Sequence, residues 1–257
     1  MIRDFILFAG VGFLAQLVDG ALGMAYGVTS NTVLLAFGVP PATASASVHT
    51  AEMFTTAASG VSHTAHKNVD WKLFFKLAPA GVIGGALGAY VLTSIDGDVI
   101  KPFIVGYLGL MGLLILYRAV WPSQPRALHR LLAPPLGLAG GFVDAVGGGG
   151  WGPVVTSSLM GAGGNPRYVI GTVNTAEFFV TVAISAAFLF ALLSGHWQDA
   201  SDLMANAAAV AGLIIGGLFA APLAGWMVKL APQRVLGALV GALVLGLAAY
   251  QGWRLIG

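Results

Sequence analysis

Four carboxylates hold most of the chemistry this chain could do. Asp19 and Glu52 in the first half, and Asp144 and Glu177 in the second, stand at matching positions inside long apolar stretches. An ionisable group in such surroundings is costly to keep and defaults to a functional reading, as a proton relay or an ion or substrate contact. Low dielectric favours the neutral form of a carboxyl, and an anion bound beside it favours that form further, so anion and proton binding would be linked. The structural alternative is that these acids cap helix N-termini or accept bonds from buried backbone. His49 lies one helical turn before Glu52, and Asn174 takes its place in the second half. Both can donate a hydrogen bond. A metal site would want more histidines close by, and none is expected here. His63, His66, His129 and His196 fall near segment ends, where an interfacial role is expected.

Beside each aspartate the helical pattern is interrupted, by Asp19-Gly20-Ala21-Leu22-Gly23-Met24-Ala25-Tyr26-Gly27 in the first half and by Asp144-Ala145-Val146-Gly147-Gly148-Gly149-Gly150-Trp151-Gly152-Pro153 in the second. Each glycine costs a helix about 1 kcal/mol relative to alanine, and proline is best tolerated in a first turn, so a new half-helix should begin after each break. Non-helical backbone at membrane depth survives only where protein buries it or where it lines a polar cavity. The half-helices starting near Tyr26 and Trp151 would aim free N–H groups and the positive ends of their dipoles into that cavity, which suits an anion. Tyr26, Gly27, Thr29, Ser30, Asn31 and His49, with Trp151, Gly152, Thr156, Ser157 and Asn174, are therefore the expected substrate contacts. Asp19, Glu52, Asp144 and Glu177 are expected as proton-coupling or structural acids. The competing reading is that the glycines only let helices pack closely, as Gly81, Gly85, Gly88, Gly212 and Gly216 are expected to do. Hydroxyls in membrane helices also bond their own i−4 carbonyls, and Tyr26 and Trp151 can equally be packing residues.

The elements that must position these groups are apolar. Of 257 residues 57% are hydrophobic and 9% charged, with a mean hydropathy of +0.86, so the bulk of the surface must face lipid. The formal charge of +2 comes from scattered basic residues, which argues against nucleic acid as a partner. Cysteine is absent, so disulfides, thiolate nucleophiles and zinc–thiolate sites are excluded. The N-terminus lacks a basic leader region and reads as structure.

The sequence repeats. At an offset of 125 residues, Val18-Asp19 matches Val143-Asp144, Gly27 matches Gly152, Pro41 matches Pro166 and Thr50-Ala51-Glu52 matches Thr175-Ala176-Glu177; further on, Ile83-Gly84-Gly85 matches Ile215-Gly216-Gly217. Rare polar residues coincide as well as common apolar ones, which is the signature of duplication. The expected domains are residues 1–125, with half-helices 5–18 and 27–38 and helices 41–64, 71–94 and 99–120, and residues 126–257, with half-helices 128–143 and 153–161 and helices 166–194, 203–230 and 233–253. Each full helix can cross about 30 Å of hydrocarbon. If the broken segments are re-entrant, three crossings per unit invert the second copy. Nine basic residues then lie inside (Lys67, Lys72, Lys76, Arg118, Arg126, Arg130, Arg167, Lys229, Arg234) against three outside (Arg3, Lys101, Arg254), with the acidic connections Asp96-Gly97-Asp98 and Asp199 to Asp202 outside. Full crossings would give eight against four, so the charge rule favours inversion. The expected fold is an all-α polytopic membrane protein of two inverted-topology repeats, each a broken half-helix pair plus three transmembrane helices.

Val18-Asp19-Gly20 through Gly27, followed by Ser47-Val48-His49-Thr50-Ala51-Glu52, resembles the sulfite exporter TauE/SafE family, also grouped with the toluenesulfonate uptake permeases. So does Gly141-Phe142-Val143-Asp144 through Gly152-Pro153, followed by Gly171-Thr172-Val173-Asn174-Thr175-Ala176-Glu177. The resemblance covers nearly the whole chain. It implies a multi-pass protein of the bacterial inner membrane that moves sulfite, an organosulfonate such as sulfoacetate, or a related sulfur compound. Export is the expected direction, because an interior-negative potential favours anion exit by about 2.3 kcal/mol per charge per 100 mV. The partners are then a small anion and the bilayer, with no cofactor; the glycine faces could pack within or between protomers. Two rival classes stand beside this. A cation channel or metal carrier would use the carboxylates and His49, and an intramembrane enzyme would use Asp19, His49 and Glu52. Symmetric retention of the acids argues against catalysis, and neutral donors argue against cations.

Overall fold

In a computed structural model, residues 2–121, 130–197 and 206–256 are described. Arg126, His129, the acidic run Asp199 to Asp202, and the expected helix starts at 128 and at Leu203 lie outside them. Every regular element among the described residues is helical. The helices are α1 (Ile2–Leu22), α2 (Tyr26–Ala36), α3 (Pro41–Ala65), α4 (Trp71–Leu92), α5 (Gly97–Val120), α6 (Ala133–Gly147), α7 (Ser157–Gly161), α8 (Pro166–Leu193), α9 (Ala207–Ala220), α10 (Ala224–Leu230) and α11 (Gln233–Ile256). A π-helical turn, Trp151–Thr156, leads into α7, and a 3₁₀ turn, Ala221–Leu223, joins α9 to α10.

Local chemistry sets these boundaries. Pro41 and Pro166 occupy first turns, where a missing N–H costs nothing. Asp70 accepts from the amides of Lys72 and Leu73 to start α4, Asp96 accepts from Asp98 to start α5, and Asn165 accepts from Arg167 to start α8. Such caps contribute about 1 kcal/mol each.

Six stretches are long and apolar enough to cross a membrane: Ile2–Leu22, Trp71–Leu92, Gly97–Val120, Pro166–Leu193, Ala207–Leu230 and Arg234–Leu255. The first corrects an expectation, since α1 is not a half-helix ending at 18 but a 21-residue helix. The helix continues through Asp19 and Gly20 and closes where the Gly23 amide donates to the Asp19 carbonyl at 2.6 Å, with Gly23 in the left-handed region. In the same way α6 runs to Gly147, past the expected end at 143. Conversely α3, expected as a crossing on length, is 25 residues long but too polar to be one of the six. Its Thr43, Ser45, Ser47, His49, Glu52 and Thr55 are all buried, so other helices enclose it.

The broken segments fold back on themselves. The rings of Phe8 in α1 and Phe37 just after α2 lie 5.7 Å apart, which a straight continuation of about 1.5 Å per residue could not allow. In the second copy a Cβ on Gly140 of α6 would stand 2.3 Å from Val155 Cγ2, so that chain also doubles back.

Glycine contacts reveal how the two halves interlock. Gly84 and Gly88 of α4 meet Leu138 and Phe142 of α6, while Gly137 and Gly141 of α6 meet Leu77 and Gly81 of α4, so the two helices run parallel. Gly12 and Gly20 of α1 meet Leu213 and Ala224, and Gly216 meets Ala9, so α1 runs parallel to α9 and α10. Each opening helix thus packs on a helix of the other half. The α5–α11 pair is antiparallel: Gly112 meets Leu245, Gly237 meets Ala119 and Gly252 approaches Val105. So is α3–α8, where Ser59 bonds Asn174 while Asn68 reaches Arg167.

The basic residues sort by end. The α3–α4 turn, the start of α8 and α10 are tied together by Arg167 donating to the His66 carbonyl at 2.9 Å and Asn68 donating to the Gly225 carbonyl at 3.1 Å. Lys67, Lys72, Lys76, Arg118, Arg167, Lys229 and Arg234 belong to this end; Arg3, Lys101 and Arg254 belong to the other.

Candidate functional site

The two breaks meet in the middle of the molecule. Gly149 comes so close to the amide of Val28 that a Cβ there would stand 2.2 Å away, and one on Gly152 would stand 2.4 Å from Met24 Cα. Gly23 and Gly148, twin positions, have φ of 65° and 64°, the left-handed region that a side chain rarely enters. Each break reaches into the other. Thr156 Oγ1 donates to the Gly23 carbonyl at 2.8 Å, Asn31 Nδ2 donates to the Gly147 carbonyl at 2.7 Å, and Tyr107 Oη donates to the Gly149 carbonyl at 3.4 Å.

The aspartates close the breaks from below. Asp19 Oδ1 accepts from the amides of Ala25 at 2.8 Å and Tyr26 at 3.2 Å. Asp144 Oδ1 accepts from Gly150 at 2.6 Å and Trp151 at 2.9 Å. The spacing is the same in both copies, six and seven residues on, so each aspartate satisfies the first orphan donors of the following turn. The amides of Tyr26 and Trp151, expected to face substrate, are thus held by the chain's own carboxyls.

Between the breaks lies a cavity of about 10 Å³, lined by Asp19, Asp144 and Glu177 with backbone of Gly27, Gly149 and Gly152. That is room for about one water molecule, so the chamber is closed to an oxyanion. Glu52 approaches from the other side: a Cβ on Gly27 would stand 2.7 Å from its Oε1. Glycine at 27 is what lets a glutamate carboxyl touch the start of α2. Asp19 Oδ2, Glu52 Oε2 and Glu177 Oε2 are buried with no hydrogen-bond partner among the described residues. An unpaired buried oxygen costs about 1–3 kcal/mol, and more if charged.

His49 and Asp144 form a cross-repeat pair. His49 Nδ1 lies 2.7 Å from the Ser45 carbonyl, which can only accept, so Nδ1 carries hydrogen. His49 Nε2 lies 3.2 Å from Asp144 Oδ2 and 3.8 Å from Glu52 Oε2. A hydrogen bond between that nitrogen and that carboxyl requires one shared proton, on one or the other. Asn174 lies beside Asp19 at the equivalent place, where no such proton is available. Together the five groups make a buried cluster of four carboxyls with a histidine on one side only.

Several expected contacts are spent on structure. Tyr26 Oη donates to the Leu213 carbonyl at 2.9 Å, and Trp151 Nε1 donates to the Val173 carbonyl at 3.1 Å, with its ring against Gly81. Ser157 Oγ faces Met24 Sδ at 3.9 Å. Asn174 accepts from Ser59 at 3.2 Å. Thr29 and Ser30 differ: their hydroxyls are buried without a partner among the described residues. Sequence reasoning missed Tyr107, which packs on Gly147 and Gly150, and Met24. Tyr107 sits in an ordinary apolar span with no polar neighbour to signal it.

A bundle of lipid-facing helices with two helix breaks clasped at its centre, and titratable groups buried around them, defines an integral membrane transporter. The chain belongs to the sulfite exporter TauE/SafE family, whose model matches residues 8–252. It is 46% identical over 250 residues to the "Probable membrane transporter protein YtnM" of Bacillus subtilis (strain 168), covering 95% of this chain and 81% of that protein. No solved structure matches it.

Proposed function

We propose that this protein is a proton-linked exporter of a small sulfur oxyanion, sulfite or an organosulfonate such as sulfoacetate, across the bacterial inner membrane. The class of anion follows the family description, sulfite exporter. The observation that carries the coupling is the ring of acids around the closed chamber: Asp19, Asp144 and Glu177 line it and Glu52 abuts it. An anion cannot share so small a volume with ionised carboxylates. It can enter once the glutamates are neutral, and then finds the α2 N-terminus with the unpartnered hydroxyls of Thr29 and Ser30 beside it. Tyr26, Asn31, Trp151 and Thr156 shape the site in the closed form, and His49 with Asp144 holds a proton next to it.

The reading includes two inverted repeats with re-entrant openings, supported by the antiparallel pairing of α5 with α11 and of α3 with α8, and by the fold-back of α1 on α2. The seven basic residues at one end, against three at the other, support a cytoplasmic location for that end by the charge rule. Alternating access would then be a rocking of one repeat against the other around the shared break.

The acidic lining favours one second reading, a cation carrier. No group of three or more His, Cys, Asp or Glu able to hold a metal ion occurs among the described residues. Purified protein in proteoliposomes decides between them. Flux of sulfite or sulfoacetate that survives replacement of sodium supports anion export, and transport of metal ions alone rejects it.

A further inference from the structure

A second cavity, of about 260 Å³, opens at the end of the molecule that carries most of the basic residues. Its walls are apolar, from Leu22, Ile115, Met160 and Ile170, and its only charged lining residues among those described are Arg118 and Arg234. The volume lies below the roughly 300–1,000 Å³ of drug-sized sites, so it suits something smaller. The guanidinium of Arg118 lies against Gly161, at the carboxyl end of α7. Arg234 is in the first turn of α11, and its side chain is exposed.

The inner wall of this cavity is Met24 and Ser157. Met24 also lines the closed chamber between the breaks, so one flexible side chain, in contact with Ser157 Oγ, separates the two spaces. The far end of the molecule is the opposite in charge. There a cavity of about 660 Å³ is lined by Asp96 and Asp98 with His196 and Trp197. Two vestibules of opposite sign therefore lead toward opposite faces.

We propose that the Arg118–Arg234 cavity is the loading site for the substrate, taking a small organic oxyanion whose charged head is held by the two guanidiniums and whose short carbon chain rests on the apolar wall. The proposal rests on the anion-export reading. A guanidinium offers paired donors that match a sulfonate or carboxylate, and the apolar wall adds affinity for an organosulfonate over sulfite. Met24 is the gate between loading and the central chamber. The acidic vestibule at the other end binds the same ligand more weakly, so the transporter loads from one face and releases to the other.

The test uses proteoliposomes or membrane vesicles of known orientation, with sulfite and sulfoacetate as probes presented in turn at each face. Wild type should show a lower KM at the arginine end than at the aspartate end, and a lower KM there for sulfoacetate than for sulfite. Arg234→Gln and Arg118→Gln should each raise that KM about tenfold or more, consistent with a charge-assisted hydrogen bond, while the KM at the opposite face stays unchanged. Arg234→Lys should restore part of the loss. Lys229→Gln, at the same end but outside the cavity, should change nothing, which separates a local site from surface potential. Should Arg118→Gln fail to fold, Arg234→Gln and its lysine variant still decide, since that side chain is exposed. Flux of both anions with KM unaltered by either arginine, or altered equally by Lys229→Gln, overturns the loading site alone. Absence of sulfite and sulfoacetate flux in wild type overturns the export reading with it.

Discussion

The residues of the central site divide into those that hold the breaks shut and those with protonation left to change. Asp19 and Asp144 each satisfy two amides, and Asp144 also faces His49. Glu52 and Glu177 each keep one oxygen without a partner among the described residues, as Asp19 does at Oδ2, but the amides after the breaks are held by the aspartates. Glu52→Gln and Glu177→Gln are therefore expected to leave the fold intact and to flatten the pH dependence of flux. Wild-type flux should rise as pH falls, by up to about tenfold per unit for a one-proton linkage, and the double variant should be flat; parallel profiles for wild type and double variant would remove proton linkage from the account. Asp144→Ala is expected to behave differently, lowering thermal stability by about 1–2 kcal/mol through loss of the cap, measurable by melting in detergent alongside Glu177→Gln as the neutral reference. The four acids were legible in the sequence as a matched set, because a carboxylate in an apolar stretch stands out. Their division of labour was not. Whether a carboxyl bonds an amide six residues on or faces a chamber depends on the turn of the break, which no spacing encodes. Trp151 and Tyr26 illustrate the same limit, since their polar atoms found carbonyls of distant helices.

At the scale of elements, small residues decide how closely the helices approach. A Cβ on Gly84 would stand 2.0 Å from the Leu138 carbonyl oxygen, and one on Gly216 would stand 1.9 Å from that of Ala9. Gly84 and Gly216 are equivalent positions in the two halves, and each meets the opening helix of the other half. Gly84→Leu or Gly216→Leu should destabilise by at least about 1–3 kcal/mol through overpacking, whereas Gly10→Leu, with nothing within 4 Å, should not shift the melting temperature. Equal effects at Gly10 and Gly84 would contradict the packing described. Proline and tryptophan mark several helix starts in the sequence, as Pro41, Trp71 and Pro166 do for α3, α4 and α8, but nothing in it marks the 3₁₀ turn that splits α9 from α10. The length of α1 was not legible, because Asp19-Gly20 reads as a break when it is the last turn of a helix that ends at a left-handed Gly23. Nor was the burial of α3, whose hydroxyls lower its hydropathy while neighbouring helices shield it.

For the whole molecule, duplication and family were visible in the matched polar residues, while the exchange of opening helices between halves arises from packing alone. The proposed topology puts both ends of the chain and the α4–α5 connection on one face. The chain lacks cysteine, so single cysteines can report directly. Asp98→Cys should react with a membrane-impermeant maleimide in intact cells, and Lys229→Cys only after permeabilisation; the reverse pattern would turn the molecule over, and labelling of both from one side would end the inverted arrangement. The central claim is that an anion passes where the two breaks meet, and a structure of the protein with sulfoacetate bound tests it most directly. The account predicts the anion between Gly27 and Gly152, with Thr29 or Ser30 donating to it and Glu52 or Glu177 drawn aside. Sulfoacetate held elsewhere in the bundle, with the chamber still closed around its acids at saturating ligand, would contradict it.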